Sequence, residues 1–207
     1  MTQPRLTRRM TLLGALCLPG CTALTTLNQA AIPRDTYDLA PAPPTGQGPR
    51  TSRTLLVLEP SAAAAIATDR ILIKPDVLSV TYLPQARWSD DAPLMVQSLL
   101  VRSLSAAGQF GYVGAAGSGP VPDVVLLTRI DQFGVDVLAD GGFQANIALQ
   151  LTVLRDRDQR IVGSRRFQGA MPVTDDSATN IVRVFQQITN IILAEAVIWV
   201  GSTAARS

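Results

Sequence analysis

With 207 residues, 47% of them apolar and 16% charged, the chain has room for one ordinary domain plus tails, and it has the apolar content of a folded rather than a disordered polymer. Arg5, Arg8 and Arg9 account for three of the 18 basic residues and no acid precedes Cys21, so a chain starting at Cys21 carries 15 basic and 16 acidic groups; that balance excludes the electrostatic footprint of a nucleic-acid-binding protein. Histidine is absent, which removes Ser-His-Asp and Cys-His nucleophiles, His-ligated zinc and the usual general base.

Residues 1–20 read as an export signal. Three arginines precede MTLLGALCL, an apolar run well short of the ~20 residues that span a bilayer. A short uncleaved anchor or a buried helix is the competing reading. Thr7 to Leu12 also resembles a twin-arginine motif, with Thr11 where a large apolar residue is usual, so the export route stays open. Leu18-Pro19-Gly20-Cys21 then resembles a bacterial lipobox. That resemblance implies cleavage between Gly20 and Cys21 and lipidation of Cys21, with Cys17 lost along with the signal. A Cys17–Cys21 disulfide would close a very small loop, and an unlipidated secreted chain is the other alternative. Two or three acyl chains hold a protein on a membrane, because each buried CH₂ contributes about 0.8 kcal/mol. Thr22 stands where an Asp would signal inner-membrane retention, which implies the outer membrane.

Residues 21–53, rich in Thr, Ala, Pro and Gly, are expected to be an extended tether interrupted by a short strand near 37–39. The folded domain is expected over 54–200. TLLVLEP reads as a strand stopped by Pro60, and SAAAAIATDR as one or two helical turns. RILIKP and VLSVTYLP read as two strands joined by a turn at Pro75-Asp76. Ser89-Asp90-Asp91-Ala92-Pro93 is a helix-start signal, followed by Val96, Leu99, Leu100, Ser103, Leu104 and Ala107 at helical spacing and by Gly108 as a stop. FGYVGAAGSGPVPD is a strand and a loop.

Three long segments follow. DVVLLTRIDQFGVDV ends with Phe133, Val135 and Val137 on one side. In FQANIALQLTVLRD, Phe143, Ala145, Ile147, Leu149, Leu151 and Val153 face one way, while Gln144, Asn146, Gln150 and Thr152 face the other; this is the period of a sheet with one wet face. RIVGSRRFQGAMPV is the third strand. Asp175-Asp176-Ser177 caps a long final helix built on Ala178, Ile181, Phe185, Ile188, Ile192 and Ala196. The fold class is α+β: a mostly antiparallel sheet with two main helices packed on one face.

The order Ile66–Ile71, Tyr82-Leu83-Pro84, Arg87-Trp88-Ser89-Asp90, the helix from Pro93, Arg129–Phe133, Leu154-Arg155-Asp156 and Phe167–Val173, all behind a lipobox, resembles the ABC-type transport auxiliary lipoproteins, the PqiC/YmbA-like family. The similarity runs from about Tyr37 to Val200. It implies a non-catalytic outer-membrane lipoprotein facing the periplasm. Its partners would be an MCE-domain protein, an ABC permease and its ATPase, and the system would move lipid between two membranes. The family also implies a homo-oligomeric ring. The chain itself carries no Walker A motif and shows no hydrophobic run beyond its signal. A free-standing assembly module for outer-membrane components is the alternative.

No catalytic, metal-ligating or cofactor-binding set is assigned. Arg87 and Trp88 are the candidate partner contact, since Trp and Arg are favoured anchors at interfaces; the competing reading packs Trp88 under the following helix and pairs Arg87 with Asp90 or Asp91. Asp69-Arg70 reads as a turn with a local salt bridge or as a phosphate clamp. Asp90-Asp91 and Asp175-Asp176 read as helix-start residues rather than a hydrolase pair. Arg165-Arg166, adjacent on a strand, point to opposite faces. The apolar faces of the final helix read as core, with a lipid groove as the alternative.

Overall fold

Alternating side chains on two long strands set the architecture. In the computed structural model, which describes residues 34–43, 50–117 and 119–206, the elements in chain order are β1 (Asp35–Tyr37), β2 (Thr54–Val57), β3 (Ser61–Ala62), β4 (Arg70–Lys74), β5 (Thr81–Trp88), α1 (Ala92–Ala106), β6 (Tyr112–Ala115), β7 (Val124–Val137), β8 (Phe143–Arg155), a 3₁₀ turn (Asp156–Asp158), β9 (Arg160–Val173) and α2 (Ala178–Ala204). They belong to one unit, Arg34–Ser207.

β7 is the axis of the sheet. Along one edge it pairs antiparallel with β8 over its whole length, and β8 pairs antiparallel with β9. Along the other edge β2, β3 and β4 follow one another, all parallel to β7. Residues 54–74 therefore track β7 as one interrupted strand. β6 flanks β2 in parallel, β5 runs antiparallel to β4, and β1 runs parallel to β5. The two long pairings are antiparallel, as is β4 with β5, and the other short ones are parallel, so the sheet is mixed and mostly antiparallel, and the α+β expectation holds.

The inner face of β8 is built by Ala145, Ile147, Leu149, Leu151 and Val153, all buried, and both helices cover it. Val96 and Leu99 of α1 and Ile192 and Leu193 of α2 meet Phe133, Ile147 and Leu149 around one small void. Alternation along β7 is interrupted because the register shifts between Ile130 and Gln132. This bulge adds one residue and changes the phase. Ile130 and Phe133, three apart, both reach the buried side, while Asp131 and Gln132 turn to the polar face. β9 pairs only with β8 among the described residues. Its edge carries Arg160, Arg165, Arg166 and Pro172, residue types that discourage unwanted strand pairing.

Both helices begin where the sequence places them and α1 stops before Gly108, while α2 runs past the expected domain end at 200 to Ala204, with Thr203 and Ala204 buried. Ser177 is the N-cap of α2 and its Oγ accepts from the Asn180 N–H. Asp91 holds the N-cap position of α1 without a side-chain cap bond, and Gly108, at φ +63°, follows its end. α2 also departs from the expectation of no apolar run beyond the signal. An 18-residue window of this 27-residue helix reaches a mean hydropathy of 1.5, long and apolar enough to cross a membrane by composition. The cause is a wide buried stripe on the sheet, including Ile181, Phe185, Ile188, Ile192 and Val200, with Arg183, Gln187, Ile191, Glu195 and Ile198 exposed at three- and four-residue steps on the opposite side.

Three further elements differ from expectation. SAAAAIATDR forms the two-residue β3, a turn and bends rather than helical turns, because pairing with Arg129 and Ile130 of β7 overrides alanine's helix propensity. VLSVTYLP is strand only from Thr81; residues 77–80 lie outside the ladder, and β5 continues past Pro84 to Trp88 through Gln85 at φ 59°. The packed unit also starts well before Thr54. β1 joins the sheet, and Leu39 and Ala42 are buried in the core.

Candidate functional site

The end of β5 sends consecutive side chains to opposite sides, which separates Arg87 from Trp88. Trp88 points inward and is 1% exposed. Its ring lies 5.5 Å from Phe133 and 5.3 Å, edge-on, from Phe185, and those two rings are 5.1 Å apart. β5, β7 and α2 each supply one ring, in the tilted and edge-to-face geometry that aromatic quadrupoles favour. This corrects the reading of Trp88 as a partner contact: a side chain sealed by two phenyl rings presents no surface.

Arg87 points outward, with its side chain 47% exposed. Its Nε donates to Thr36 Oγ1 at 3.1 Å, and a guanidinium nitrogen lies 3.6 Å from Asp69 Oδ2. The partner is thus Asp69, in the turn before β4, and not Asp90 or Asp91. Arg70, next to Asp69, instead lays its guanidinium 4.7 Å from the centre of the Tyr82 ring. Asp69 and Arg70 do not pair with each other: Asp69 meets Arg87 and Arg70 stacks on Tyr82.

Arg87 is one of several groups that fasten the first described segment. Ser89 donates its N–H to the Tyr37 carbonyl at 2.7 Å and its hydroxyl to Asp38 Oδ1 at 3.1 Å. From α2, Gln186 Oε1 accepts from the Ala40 N–H at 2.7 Å and Gln186 Nε2 donates to the Ala40 carbonyl at 3.0 Å. From α1, the buried Ser103 hydroxyl accepts from the Ala42 N–H at 3.1 Å. With Leu39 and Ala42 buried, residues 35–42 are held by the sheet and by both helices. Sequence reasoning placed Ser103 on the buried stripe of α1 without naming its partner. It missed Gln186 and Thr36, whose partners are far away along the chain.

The polar face of the sheet carries a second constellation. Asp131, pushed outward by the bulge, lies 2.6 Å from Arg129 and 2.6 Å from Arg166. The hydrogen bond from Arg129 holds its carboxyl below the usual carboxylate range, with the charges of Arg129 and Arg166 acting in the same direction. Arg165 takes the other face, 3.5 Å from Glu195 and 4.8 Å from the centre of the Phe167 ring. The two adjacent arginines do point to opposite sides. Asp175 is also lowered, first by the Ser177 hydroxyl, which donates to it, and Asp90 Oδ1 accepts from the Asp91 N–H at 2.8 Å. These carboxylates act locally in loop and helix-start geometry; the lowered ones shift opposite to what a general acid needs. Among the described residues no three His, Cys, Asp or Glu side chains converge as a metal site. Gly20, Cys21 and the signal over 1–20 lie outside the described residues.

Several solved structures share this fold. A Xanthomonas campestris protein of the DUF330 family is 27% identical, with a TM-score of 0.75 over 83% of this chain and 97% of that one. An uncharacterized protein is 17% identical, with a TM-score of 0.61 over 80% and 97%. A hypothetical protein of Chlamydia trachomatis is 10% identical, with a TM-score of 0.52 over 76% and 100%. No protein with a curated description matches. Residues 37–196, from the last position of β1 into α2, match the ABC-type transport auxiliary lipoprotein component; the chain belongs to that family.

Proposed function

We propose that the protein is a non-catalytic adaptor, anchored by acyl chains on Cys21 in the outer membrane and facing the periplasm. There it serves an MCE-type ABC system, its permease and its ATPase, in moving lipid between the membranes. Family membership supports an auxiliary role in ABC-type transport. The lipobox-like Leu18–Cys21 and the Thr22 that follows support the anchor and the membrane. The observation that carries the adaptor reading is the fastening of residues 35–42. A chain leading from a lipidated Cys21 is tied into β5, α1 and α2, so a load on the anchor passes directly into the folded core.

Native mass spectrometry of the full-length protein, extracted from membranes in mild detergent, tests this reading. The expected species starts at Cys21, carries acyl chains, forms an oligomer and retains an MCE protein. An acylated protein that recovers outer-membrane assembly factors and no ABC component would instead establish the free-standing module. An unlipidated chain would remove the anchor.

A further inference from the structure

The loop between β4 and β5 ends in two apolar residues that pack on nothing. Val77 is 98% and Leu78 96% exposed, with Val80 at 54%, and Leu138 of the β7–β8 turn at 38% lies at the same end of the sheet. Val77 and Leu138 both line one groove of about 600 Å³. The tip is nevertheless a built turn. Asp76 Oδ1 accepts from the Leu78 N–H at 2.8 Å and the Ser79 N–H at 2.9 Å, an arrangement that holds the backbone while both apolar side chains face outward. The turn thus holds two adjacent large apolar side chains in solvent, the most exposed in the described structure.

Strand direction orients the start of the described segment relative to the tip. β5 starts at the tip with Thr81, and β1 runs parallel to β5, with Asp35 opposite Ala86 and Tyr37 opposite Trp88. Arg34 therefore lies on the tip side of Asp35. Cys21 and Arg34 are 13 positions apart, a reach of up to about 45 Å. The opposite end of the sheet also exposes Val121 and Ile161, but Arg34, the first described residue, lies on the tip side of β1.

We infer that the 75–80 turn is a second membrane contact: Val77 and Leu78 dip into the same bilayer leaflet that holds the acyl chains of Cys21, fixing the orientation of the domain on the membrane. The inference rests on the lipidation proposed above. With one anchor the domain would pivot on its tether; with the turn inserted it has two points of attachment, and the far end of β7 points away from the membrane.

The test uses the full-length lipoprotein with Leu78→Cys, labelled with nitrobenzoxadiazole and reconstituted in vesicles of phosphatidylethanolamine and phosphatidylglycerol. Cys17 leaves with the signal and Cys21 is a thioether, so the introduced thiol is the single labelling site. Ile161→Cys, about 35 Å away along the strands, serves as the control. The expected result is emission shifted to shorter wavelength and quenched by nitroxide-bearing lipid for the dye at position 78, with neither effect at position 161. An acylated, vesicle-bound protein whose position-78 dye stays in water overturns the membrane contact and leaves the anchor standing. A blue shift in detergent that grows with protein concentration before vesicles are added assigns the turn to a second copy and also overturns it. A second label on Cys21 in the mass spectrum overturns the anchor, and the membrane contact with it.

Discussion

Gln186 grips the backbone of Ala40 with both ends of its amide, accepting from the N–H at 2.7 Å and donating to the carbonyl at 3.0 Å across 146 positions of the chain. Gln186→Ala removes both bonds, each worth about 0.5–1.5 kcal/mol net. The expected outcome is a modest fall in melting temperature with a selective rise in amide exchange and proteolysis over 35–42, measured by hydrogen-exchange mass spectrometry. Uniform exchange with no local change at 35–42 would show that Gln186 does not hold this segment.

Trp88 and Arg87 are neighbours with opposite expected costs. Trp88→Ala empties the space between Phe133 and Phe185 and should cost about 3–5 kcal/mol, read by chemical denaturation. Arg87→Ala loses an exposed ion pair and one hydrogen bond and should stay within about 1 kcal/mol. A stable Trp88→Ala protein would contradict the aromatic core.

Gly169 of β9 lies under α2, where an added Cβ would stand 2.7 Å from Ile188 Cγ2. Ile188 is β-branched and buried, so it has little freedom to move aside. Gly169→Ala should destabilise by about 1–3 kcal/mol. Pairing it with Ile188→Ala should cost less than the sum of the two single changes, since the second substitution removes the colliding methyl. Strict additivity in a double-mutant cycle would place the strain elsewhere.

Asp131 links stability to acid. Its folded pKa is depressed, first by the hydrogen bond from Arg129. Its contribution is therefore present above the unfolded value of about 3.9 and is lost as pH falls through the lower folded value. Asp131→Asn should lower the melting temperature at pH 7 and flatten its decline below about pH 4. Melting curves from pH 7 to pH 2 measure both effects, and an unchanged acid slope would show that Asp131 is not a source of it.

Local periodicity determined a good deal. The alternation in β8 identified its core face, although Asn146 and Ala148 on the face expected to be wet are buried as well, and the spacing of Ile181, Phe185, Ile188 and Ile192 identified the helix that covers the sheet. Side chains at period two or near 3.6 bury one face whatever surrounds them, and Ser177 and Gly108 mark helix ends through bonds and dihedrals made within a few residues. Lys-poor, histidine-free composition likewise bounds the chemistry without any coordinates.

Tertiary structure decided the rest, because the deciding partners are far apart in the chain. SAAAAIATDR is helical by propensity, yet β7 supplies a parallel neighbour. The bulge at Asp131 reverses the phase of β7 in a way its own pattern does not announce. Arg87 finds Asp69 and Thr36 rather than the closer Asp90 and Asp91, and residues 35–42, short and proline-flanked, become core only because α1 and α2 present Ser103 and Gln186. Sequence patterns encode which face a residue turns; which residue waits on that face is settled by chain closure over tens to more than a hundred positions, and the fastening of the first strand lies wholly in that second category.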